Sequence, residues 1–591
     1  MEHFERTLGC GEVTQDNLNN TVVLVGWVNR RRDHGNVIFI DLRDRTGRVQ
    51  LVFNPTVSAP AHALAEQLRS EFVIAVQGTV VNRSSESINK DLATGGFEVQ
   101  VKDLTILNKA KALPFHIDEA ENVDEEIRLQ YRYLDLRRPT MVHRLAMRHK
   151  MIFAIRQFLD KQSFYEIETP LLTKNTAEGA REFLVPSRVH KGSFYALPQS
   201  PQLYKQILMC GGLEKYFQIA RCFRDEDLRA DRQPEFTQLD IELSFVEEKH
   251  IQDLIENLLQ YVCTTVFSLP LALPLQRLTY DEAFSTYGSD KPDLRFEMPI
   301  HDVTSLFETT QLSFIRAILD KGGRVGALHV QGHVFSRSDL EQYVALSLQY
   351  GAKGLVWIRF KEGAIESPVA KFLPEDFLKQ MNARMGVQEG DTLFLIAGPY
   401  KEAWTHLGRL RLSLGNALNL IKKDIFRFLW VTDFPLLEYD KDQKRWSSVH
   451  HPFTAPQQGW EQQEPQDMKA RAYDIVCNGV EVGGGSIRIH DPLVQRKVFD
   501  YLGFAKEEME DHFGFLLEAQ EMGFPPHGGI ALGIDRFLML LLHCSSIRDV
   551  IAFPKTQSGY DPMMQAPTEV NPKKLAEYDL EISSLKKKRP A

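Results

Sequence analysis

The chain has 591 residues, of which 43% are hydrophobic and 25% charged, and its formal net charge is −9. This length predicts roughly three or four domains, and the negative balance excludes a protein that is basic overall, so a nucleic-acid partner would need a local basic surface. Six scattered cysteines without ligand spacing argue against structural zinc and a disulfide framework. With no apolar signal segment and no apolar run near about 18 residues, we expect a cytoplasmic protein without a membrane partner.

The first predicted domain, residues 1–107, contains five short strands separated by turns and one helical stretch, AHALAEQLRS. The strands are TVVLVGWV, VIFIDLRD, VQLVF, FVIAVQGTVV and FEVQVKDLTIL. This pattern is typical of a small closed barrel of the oligonucleotide-binding (OB) type. Side-chain alternation places one set of residues inside, namely Ile38, Ile40, Leu42, Val49, Leu51, Phe53, Val99 and Val101. It places a second set outside, namely Val37, Phe39, Asp41, Arg43, Arg48, Gln50, Glu98 and Gln100.

The outer face of this barrel combines an aromatic ring, hydrogen-bonding side chains and arginines. Phe39 could stack on a base, Gln50 and Glu98 could bond base edges, and Arg30–Arg32 could contact phosphates. The pattern therefore indicates a surface that reads unpaired bases. The alternative is a solvated barrel face with one exposed phenylalanine.

A hinge and a long helix follow the barrel. Residues 108–140 are polar and predict an irregular hinge that ends at Pro139. From Met141 to about Lys161 the pattern predicts an amphipathic helix, followed by the strand FYEIETPLLT. Periodicity alone leaves open whether this helix lies in an ordinary core or at an interface between subunits.

Two polar runs come next, TAEGAREF with Glu178 and FYALPQSPQLYKQIL with Ser200, Gln202 and Lys205. A helix is predicted to begin near Gln202, which places Gln202 and Lys205 one turn apart on the same side. The helix dipole disfavours a lysine in the first turn, so this position favours a site that binds an anion. A surface lysine whose stem packs on apolar residues is the alternative.

The stretch 216–245 predicts two apolar strands, YFQIARCF and EFTQLDIELSF, joined by a highly charged loop. Arg224 leaves the first strand where its guanidinium could form a fork onto a phosphate, and Phe236 begins the second strand where its ring could stack on a base. A solvated hairpin with surface ion pairs is the alternative.

Residues 296–420 change character and predict a separate α/β module. Strands such as RVGALHV, GLVWIRF and DTLFLIAG alternate there with helical stretches, SDLEQYVALSLQYG and HLGRLRLSLGNALNLI. The module contains no recognisable nucleophile, metal cluster or phosphate loop.

After this module, candidate site residues occur in two further strings. These are the loop SSVHHPFTAP, with His450 and His451, and AYDIVCNGVEVGGGSIRIHD. Adjacent histidines are a weak metal signal, and a surface loop is the alternative. Asp474 and Glu481 suit Mg²⁺, which prefers oxygen ligands, and the GGGS run is expected to let the backbone turn tightly. Arg488 lies between two isoleucines and would be costly to bury without an anion; a structural carboxylate–arginine pair is the alternative.

The last predicted catalytic element is PPHGGIALGIDRFLMLLL, a glycine-rich strand that leads into an apolar helix. Arg536 lies in the first turn of that helix, where it could face a phosphate. The string lacks the GxxxxGK[ST] pattern and is not a P-loop. The basic tail SSLKKKRPA is expected to be disordered, and contact with an RNA backbone is the alternative.

Several of these strings resemble those of the class II aminoacyl-tRNA synthetases in their aspartate-specific, bacterial type. FRDEDLRADRQPEFTQLD resembles motif 2, the helix and strand before residue 170 resemble motif 1, and PPHGGIALGIDRFLMLLL resembles motif 3. VGWVNRRRDHGNVIFIDLRDRTG resembles the anticodon-binding domain, and QSPQLYKQ and GVEVGGGSIRIH are of the aspartate type. The resemblance covers nearly the whole chain.

The resemblance implies an α+β multidomain fold: an N-terminal OB-fold β-barrel, an antiparallel-sheet catalytic domain and an inserted α/β (GAD-type) domain. The implied divisions are 1–107 for the anticodon-binding barrel, 108–140 for the hinge, 141–295 for the first catalytic part, 296–420 for the inserted domain and 421–591 for the second catalytic part with the tail. It also implies a homodimer formed through motif 1.

The implied reaction activates L-aspartate with ATP to aspartyl-adenylate and then transfers the aspartyl group to the 3′ end of tRNA(Asp). For ATP the resemblance implies Arg224, Glu226, Gln233, Phe236, Glu481, Gly533, Ile534, Asp535 and Arg536, with Arg224 on the α-phosphate, Arg536 on the γ-phosphate and Phe236 on adenine. For aspartate it implies Glu178, Ser200, Gln202, Lys205, Arg224, Gln238, Asp240, His450 and Arg488, with His451 as the fallback for His450. Asp474 and Glu481 would hold Mg²⁺ with ATP.

Lys205 and Arg488 are expected to clamp the substrate side-chain carboxylate, with Asp240 orienting both cations. Asparagine would then leave two cations facing a neutral amide, which predicts its rejection. For the anticodon the resemblance implies Arg32, His34, Phe39, Gln50 and Glu98. His34 stands where some members carry leucine, and in the family a histidine there accompanies charging of both tRNA(Asp) and tRNA(Asn). An imidazole can pair with more than one base edge, whereas leucine excludes by shape.

Two other functions remain open at this point. An asparagine synthetase of the same ancestry would resemble the catalytic part alone, so the barrel argues against it. A tRNA-binding scaffold without catalysis would have no need of Arg224, Glu481, Arg488 and Arg536.

Overall fold

A computed structural model describes residues 5–175, 181–361, 364–373 and 376–582. The predicted site residue Glu178 and the end of the basic tail, residues 583–591, lie outside the described residues. The chain divides into two compact units, residues 1–148 with 548–568 and residues 149–547 with 569–591. In the described part of the chain, no helix has the length and apolar character needed to cross a membrane.

The first unit contains the predicted OB barrel. Its elements are β1 (Thr21–His34), β2 (Val37–Arg43), β3 (Arg48–Phe53), α1 (Ala59–Ala65), β4 (Val73–Asn82) and β5 (Phe97–Asn108). The strands close in the order β1-β2-β3-β5-β4, and only β3 and β5 run parallel. The alternation of the sequence explains the core, because Ile38, Ile40 and Leu42 are buried inside.

Two residues assigned to the outer face of the barrel, Arg43 and Gln50, are buried instead. Arg43 is 3% exposed, and its guanidinium pairs at 2.8 Å with the carboxylate of Glu71, which is also buried. Glu71 accepts a second bond from Arg137 at 2.7 Å. The position at the end of β2, where alternation breaks, therefore serves packing rather than base recognition.

The segment predicted as an irregular hinge contains helical structure. It forms a 3₁₀ turn (Ile117–Asn122), α2 (Glu125–Gln130) and α3 (Arg132–Asp135) before α4 (Pro139–Lys161). Asp124 caps α2 by accepting from the N–H of Glu126, and buried Asp135 pairs with Arg132 and Arg138. These caps and ion pairs stabilise helices that are too short to show a hydrophobic periodicity in the sequence.

After α4, the second unit continues with the elements around the charged hairpin. They are β6 (Tyr165–Glu166), β7 (Leu184–Pro186), β8 (Phe194–Ala196), α5 (Gln202–Cys210), β9 (Lys215–Phe223), β10 (Glu235–Ser244), α6 (Glu248–Phe267), β11 (Gln276–Thr279) and α7 (Tyr280–Tyr287). Within the predicted strand FYEIETPLLT, Tyr165–Glu166 pair at the edge of the catalytic sheet, and Thr173 forms an isolated bridge with Ala196. Pro170 has no N–H to donate to a ladder, which limits that strand.

The inserted module forms a separate five-stranded sheet, in the order β12-β13-β16-β14-β15 and antiparallel throughout. Its elements are β12 (Ile300–Asp302), α8 (Ser313–Leu319), β13 (Arg324–Val330), α9 (Arg337–Gln349), β14 (Val356–Lys361), β15 (Ala364–Glu366), α10 (Phe377–Met385), β16 (Thr392–Gly398) and α11 (Tyr400–Ala417). Helix α11 packs a buried stripe that includes Trp404 and Leu407 against the sheet.

The remaining elements include the strands that complete the catalytic sheet and a separate two-stranded sheet, β18-β19. They are β17 (Phe428–Thr432), β18 (Leu437–Asp440), β19 (Arg445–Ser448), β20 (Ala472–Cys477), β21 (Val480–Ile487), α12 (Pro492–Leu502), α13 (Lys506–Glu521), β22 (His527–Gly533), α14 (Ile534–Leu541) and α15 (Pro572–Ala576). The eight strands have the order β11-β17-β20-β21-β22-β10-β9-β6, and all pairs are antiparallel except β11–β17 and β9–β6. Residues 224–234 connect β9 to β10.

Candidate functional site

A cavity of about 560 Å³ lies over the middle strands of the catalytic sheet. The sequence-predicted residues that line it are Ser200, Gln202, Lys205, Arg224, Glu226, Gln233, Phe236, Gln238, Asp240, His450, His451, Asp474, Glu481, Arg488, Gly533, Asp535 and Arg536. Of the other predicted residues, Ile534 is buried beside this cavity rather than lining it. Residues separated by more than 300 positions in the sequence therefore meet in one site.

Strand register explains how the two groups of acids face the same cavity. Asp240 on β10 pairs with Ala531 on β22, which pairs with Gly484 on β21, which pairs with Asp474 on β20. Because residues on one rung point to the same face, the two aspartates lie on the cavity side with only small residues between them. This leaves open floor between Asp240 and Asp474.

The glycine run in β21 makes room rather than a turn. Gly483, Gly484 and Gly485 continue the strand, and none has a positive φ. A Cβ at Gly484 would lie 2.4 Å from Oδ1 of Asp474, well inside contact distance. The expectation of a tight turn was wrong, because the run is needed for close approach of a carboxylate.

Lys205 and Arg488 form a buried cluster with two carboxylates. Lys205 Nζ lies 2.9 Å from Oδ1 of Asp240 and 3.4 Å from Oε2 of Glu242. Arg488 donates to Glu242 from Nε at 2.8 Å and from Nη2 at 3.1 Å. Asp240 therefore contacts one of the two cations it was expected to orient, and Glu242 is the partner of the other.

Glu242 was not singled out in the sequence, although its position carried a signal. It follows Asp240 by two residues, so both acids share one face of an otherwise apolar strand. Gly529 opposite it has no side chain, and a Cβ there would lie 2.1 Å from Glu242 Oε2. Burial opposes the charge of Glu242, but Arg488 and Lys205 hold its pKa below the usual value.

The two neighbouring histidines both line the cavity but contact opposite parts of it. His451 Nε2 lies 2.5 Å from Nη1 of Arg488, whereas His450 Nε2 lies 3.4 Å from Oδ1 of Asp474. Burial, followed by the charge of Arg488, lowers the pKa of His450 to about 4 and that of His451 well below its usual value. Both imidazoles are therefore neutral near pH 7. The fallback residue, His451, is the one beside the cation cluster.

Asp474 and Glu481 form an acidic region across the cavity from that cluster. Burial, followed by repulsion from Glu481 and from Asp290, raises the pKa of Asp474 well above its usual value. Asp290 also lines the cavity and was not identified from sequence, because it belongs to a polar loop without a regular pattern. Carboxylate oxygens are the donors that a divalent cation such as Mg²⁺ prefers.

The arginines at the other end of the cavity are less enclosed. The Arg224 guanidinium lies 5.1 Å from the centre of the Phe236 ring. Arg536 Nη1 donates to the carbonyl of Glu481 at 3.0 Å, and Nη2 lies 3.2 Å from Oδ2 of Asp231. The Nε atoms of both arginines are buried without a hydrogen-bond partner among the described residues, so each retains a donor for an anion.

The predicted base-reading residues of the barrel are joined by hydrogen bonds. Arg32 Nη2 donates to Asp41 at 2.8 Å and to Gln50 at 3.0 Å, and Gln50 donates to Glu98 at 2.8 Å. Phe39 lies opposite Arg32 on the neighbouring strand and is half-buried. His34 is exposed at the end of β1, beside the two-residue turn to β2.

Comparison with known proteins identifies two regions of the chain that match family models. The family described as tRNA synthetases class II (D, K and N) matches residues 124–557, and an OB-fold nucleic acid binding domain matches residues 22–107. An aspartate–tRNA ligase of Staphylococcus carnosus is 50% identical over 584 residues, which cover 98% of this chain and 99% of that protein. The chain belongs to the class II aspartate–tRNA ligases. It is an enzyme of aspartyl-tRNA synthesis.

Other members of the aspartate–tRNA ligase family carry a broader name. The Bacillus subtilis relative, an aspartate–tRNA(Asp/Asn) ligase, is 50% identical over 98% of this chain and 99% of its own length. Among solved structures, the asparaginyl-tRNA synthetase of Pyrococcus horikoshii with asparaginyl-adenylate has a TM-score of 0.59 at 21% identity, covering 94% of this chain and 99% of that one. This distant likeness supports the fold alone.

Proposed function

We propose that the enzyme activates L-aspartate with ATP in this cavity and transfers the aspartyl group from its adenylate to tRNA(Asp) and tRNA(Asn). The observation that carries the proposal is that the cavity combines a buried cluster of two cations and two carboxylates with two less enclosed arginines that have spare donors. We define the aspartate end by Lys205, Asp240, Glu242 and Arg488, and the nucleotide end by Arg224, Phe236 and Arg536. Positioning of the two substrates and charge stabilisation would supply the rate.

At the aspartate end, discrimination against asparagine would come from donors rather than from unpaired charge. Both cations already have carboxylate partners, so an amide would not leave a bare charge. Lys205 has three N–H donors and two carboxylate contacts, which leaves one donor for the substrate. A substrate carboxylate accepts hydrogen bonds at both oxygens. The NH₂ group of asparagine is itself a donor and would face the N–H donors of Lys205 and Arg488. Ser200, Gln202 and Gln238 would surround the backbone end of the substrate.

At the nucleotide end, Arg224 would contact the α-phosphate and Arg536 the γ-phosphate. Adenine would replace the Arg224 guanidinium on the face of the Phe236 ring, because both the guanidinium and the base are planar groups that stack on an aromatic ring. Asp474 and Glu481 would hold Mg²⁺, since their carboxylates supply the oxygen donors that this cation prefers and its charge would offset the repulsion between them. Bound there with ATP, Mg²⁺ would neutralise triphosphate charge.

The direct test is aspartate-dependent exchange of pyrophosphate into ATP, followed by charging of purified tRNA. We expect exchange that requires a divalent cation and that asparagine does not support. Absence of exchange with all substrates present would overturn the proposal and favour a tRNA-binding role without catalysis.

The tRNA range depends on His34. Its exposure next to the Arg32–Gln50–Glu98 network supports contact with an anticodon base, and a histidine can bond to more than one base. We expect comparable charging of tRNA(Asp) and tRNA(Asn), and loss of tRNA(Asn) charging in His34→Leu. Charging of tRNA(Asp) alone by the natural enzyme would contradict the broader range.

We also propose that the enzyme acts as a homodimer. In the second unit, Phe153 on α4 and Tyr165 on edge strand β6 are 54% and 62% exposed, which supports an interface there. Sedimentation equilibrium at micromolar concentration should give twice the chain mass of 67.7 kDa. A monomer at that concentration would contradict this proposal.

A further inference from the structure

The loop between β9 and β10 brings a carboxylate against the arginine assigned to the γ-phosphate. Asp231 and Arg536 both line the cavity, and Asp231 Oδ2 lies 3.2 Å from Arg536 Nη2. The other contact of Arg536, from Nη1, is with a main-chain carbonyl and carries no charge compensation. Among the described residues, Asp231 is therefore the one whose carboxylate lies within ion-pair distance of the Arg536 guanidinium.

The neighbours of Asp231 hold it in that position. The carbonyl of Ala230 accepts bonds from the N–H of Ile547 at 2.9 Å and from the hydroxyl of Ser546 at 3.2 Å. On the other side, Arg232 pairs with Glu226 at 2.8 Å. These contacts on both sides of Asp231 fix the loop that carries it. The ion pair with Arg536 occupies an N–H donor that an ATP phosphate would need.

We propose that Asp231 competes with ATP for Arg536, occupying in the nucleotide-free enzyme the contact that a terminal phosphate oxygen takes on binding. The inference rests on the proposed function, in which Arg536 contacts the γ-phosphate. Carboxylate and phosphate oxygens accept from the same guanidinium donors, so Asp231 must leave Nη2 before a phosphate oxygen can take that contact. The competition lowers the affinity for ATP, so that the nucleotide is held less tightly than its contacts alone would allow.

The geometry sets the size of the effect. The side chains of Arg536 and Asp231 are 25% and 40% exposed, so solvent screens the ion pair and its contribution is modest. Removing the carboxylate charge should raise the affinity for ATP by about two- to five-fold. AMP, which lacks the phosphate that meets Arg536, should be unaffected.

The test compares Asp231→Asn with the natural enzyme, using equilibrium dialysis of β,γ-methylene-ATP and of AMP. We expect tighter binding of the ATP analogue and unchanged binding of AMP. Asp227→Asn is the matched control, because Asp227 belongs to the same loop, is exposed and has no ion pair within the described chain. That control should bind both nucleotides as the natural enzyme does.

Arg536→Gln separates failure of this inference from failure of the proposed function. If Arg536→Gln weakens the ATP analogue more than AMP while Asp231→Asn leaves both unchanged or shifts both equally, the competition is overturned and the role of Arg536 stands. If Arg536→Gln weakens both nucleotides equally, the assignment of Arg536 to the γ-phosphate fails and the competition fails with it. If the competition holds, Asp231→Asn has no further effect in the Arg536→Gln background.

Discussion

The aspartate end and the nucleotide end of the cavity use the same kinds of side chain but satisfy them differently. At the aspartate end, Lys205 and Arg488 are 1% and 2% exposed, and each contacts a carboxylate that is fully buried. At the nucleotide end, Arg224 and Arg536 are partly exposed, and each has a buried Nε without a partner among the described residues.

The difference fits the substrates proposed for the two ends. A small amino acid offers few contacts, so its site must hold donors in fixed positions before binding, and buried cations need carboxylate partners to persist there. ATP brings three phosphates with charges of their own, so open arginines with spare donors are sufficient and can be partly occupied by a loop acid. Variants at the two ends should therefore fail in different ways.

The largest effect is expected for Arg488→Leu. Aspartate-dependent pyrophosphate exchange should fall by at least about 10³-fold, because the substrate carboxylate loses a donor. The melting temperature should fall as well, since breaking a buried ion pair from one side costs about 3–5 kcal/mol. Buried Glu242, left without its guanidinium partner, is the reason to expect this loss of stability.

A double variant separates these two losses. Arg488→Leu combined with Glu242→Gln removes the uncompensated charge and should recover much of the melting temperature without recovering exchange. Near-normal exchange in Arg488→Leu would remove this residue from the aspartate end.

The next effect concerns the space that Gly484 leaves for Asp474. Gly484→Ala should displace the Asp474 carboxylate, because the new Cβ would lie 2.4 Å from its Oδ1. We expect a loss of about 10- to 100-fold in exchange, partly recovered at high Mg²⁺ concentration. Gly354→Ala, where a Cβ meets nothing within 4 Å, is the control. An unchanged requirement for Mg²⁺ would argue against Asp474 as a ligand.

A smaller effect is expected from the buried histidines of the aspartate end and its surroundings. Burial lowers the pKa of His527 to about 4, so below about pH 6.5 the unfolded chain gains a proton that the folded chain does not. Stability should fall as pH decreases from 7 to 5, by up to about 1.4 kcal/mol per pH unit for this group. The melting temperature of His527→Gln should decrease less over this interval than that of the natural enzyme. An identical decrease in both proteins would contradict a lowered pKa for His527.

The smallest effect is a difference in salt response between the two ends. Raising the ionic strength from about 0.05 M to about 0.3 M shortens the screening length and weakens exposed charge contacts most. The KM for ATP should rise about two- to five-fold, and the KM for aspartate should change less, because its site is buried. A larger change in the KM for aspartate would reverse the contrast between the ends.

Local chemistry in the sequence was sufficient for many elements of this protein. Alternation gave the barrel strands and their inner faces, and the proline-bounded helix at Gln202 begins where the pattern predicted. The resemblance of motifs led to the family, which the comparisons confirmed. Segments without a periodic pattern were predicted less well: the polar hinge forms α2 and α3 through caps and ion pairs, and the edge strand after α4 is limited to two residues.

The sequence by itself determined which residue types are available: a lysine in a first helical turn, an arginine between isoleucines, and acids on apolar strands. Only the tertiary structure decided which residues these side chains pair with. Glu242 meets Arg488 across 246 positions, and Gly529 and Gly484 make room for carboxylates on neighbouring strands. Such pairings depend on register between strands distant in the chain, and no local propensity encodes which rung of one strand faces which rung of another.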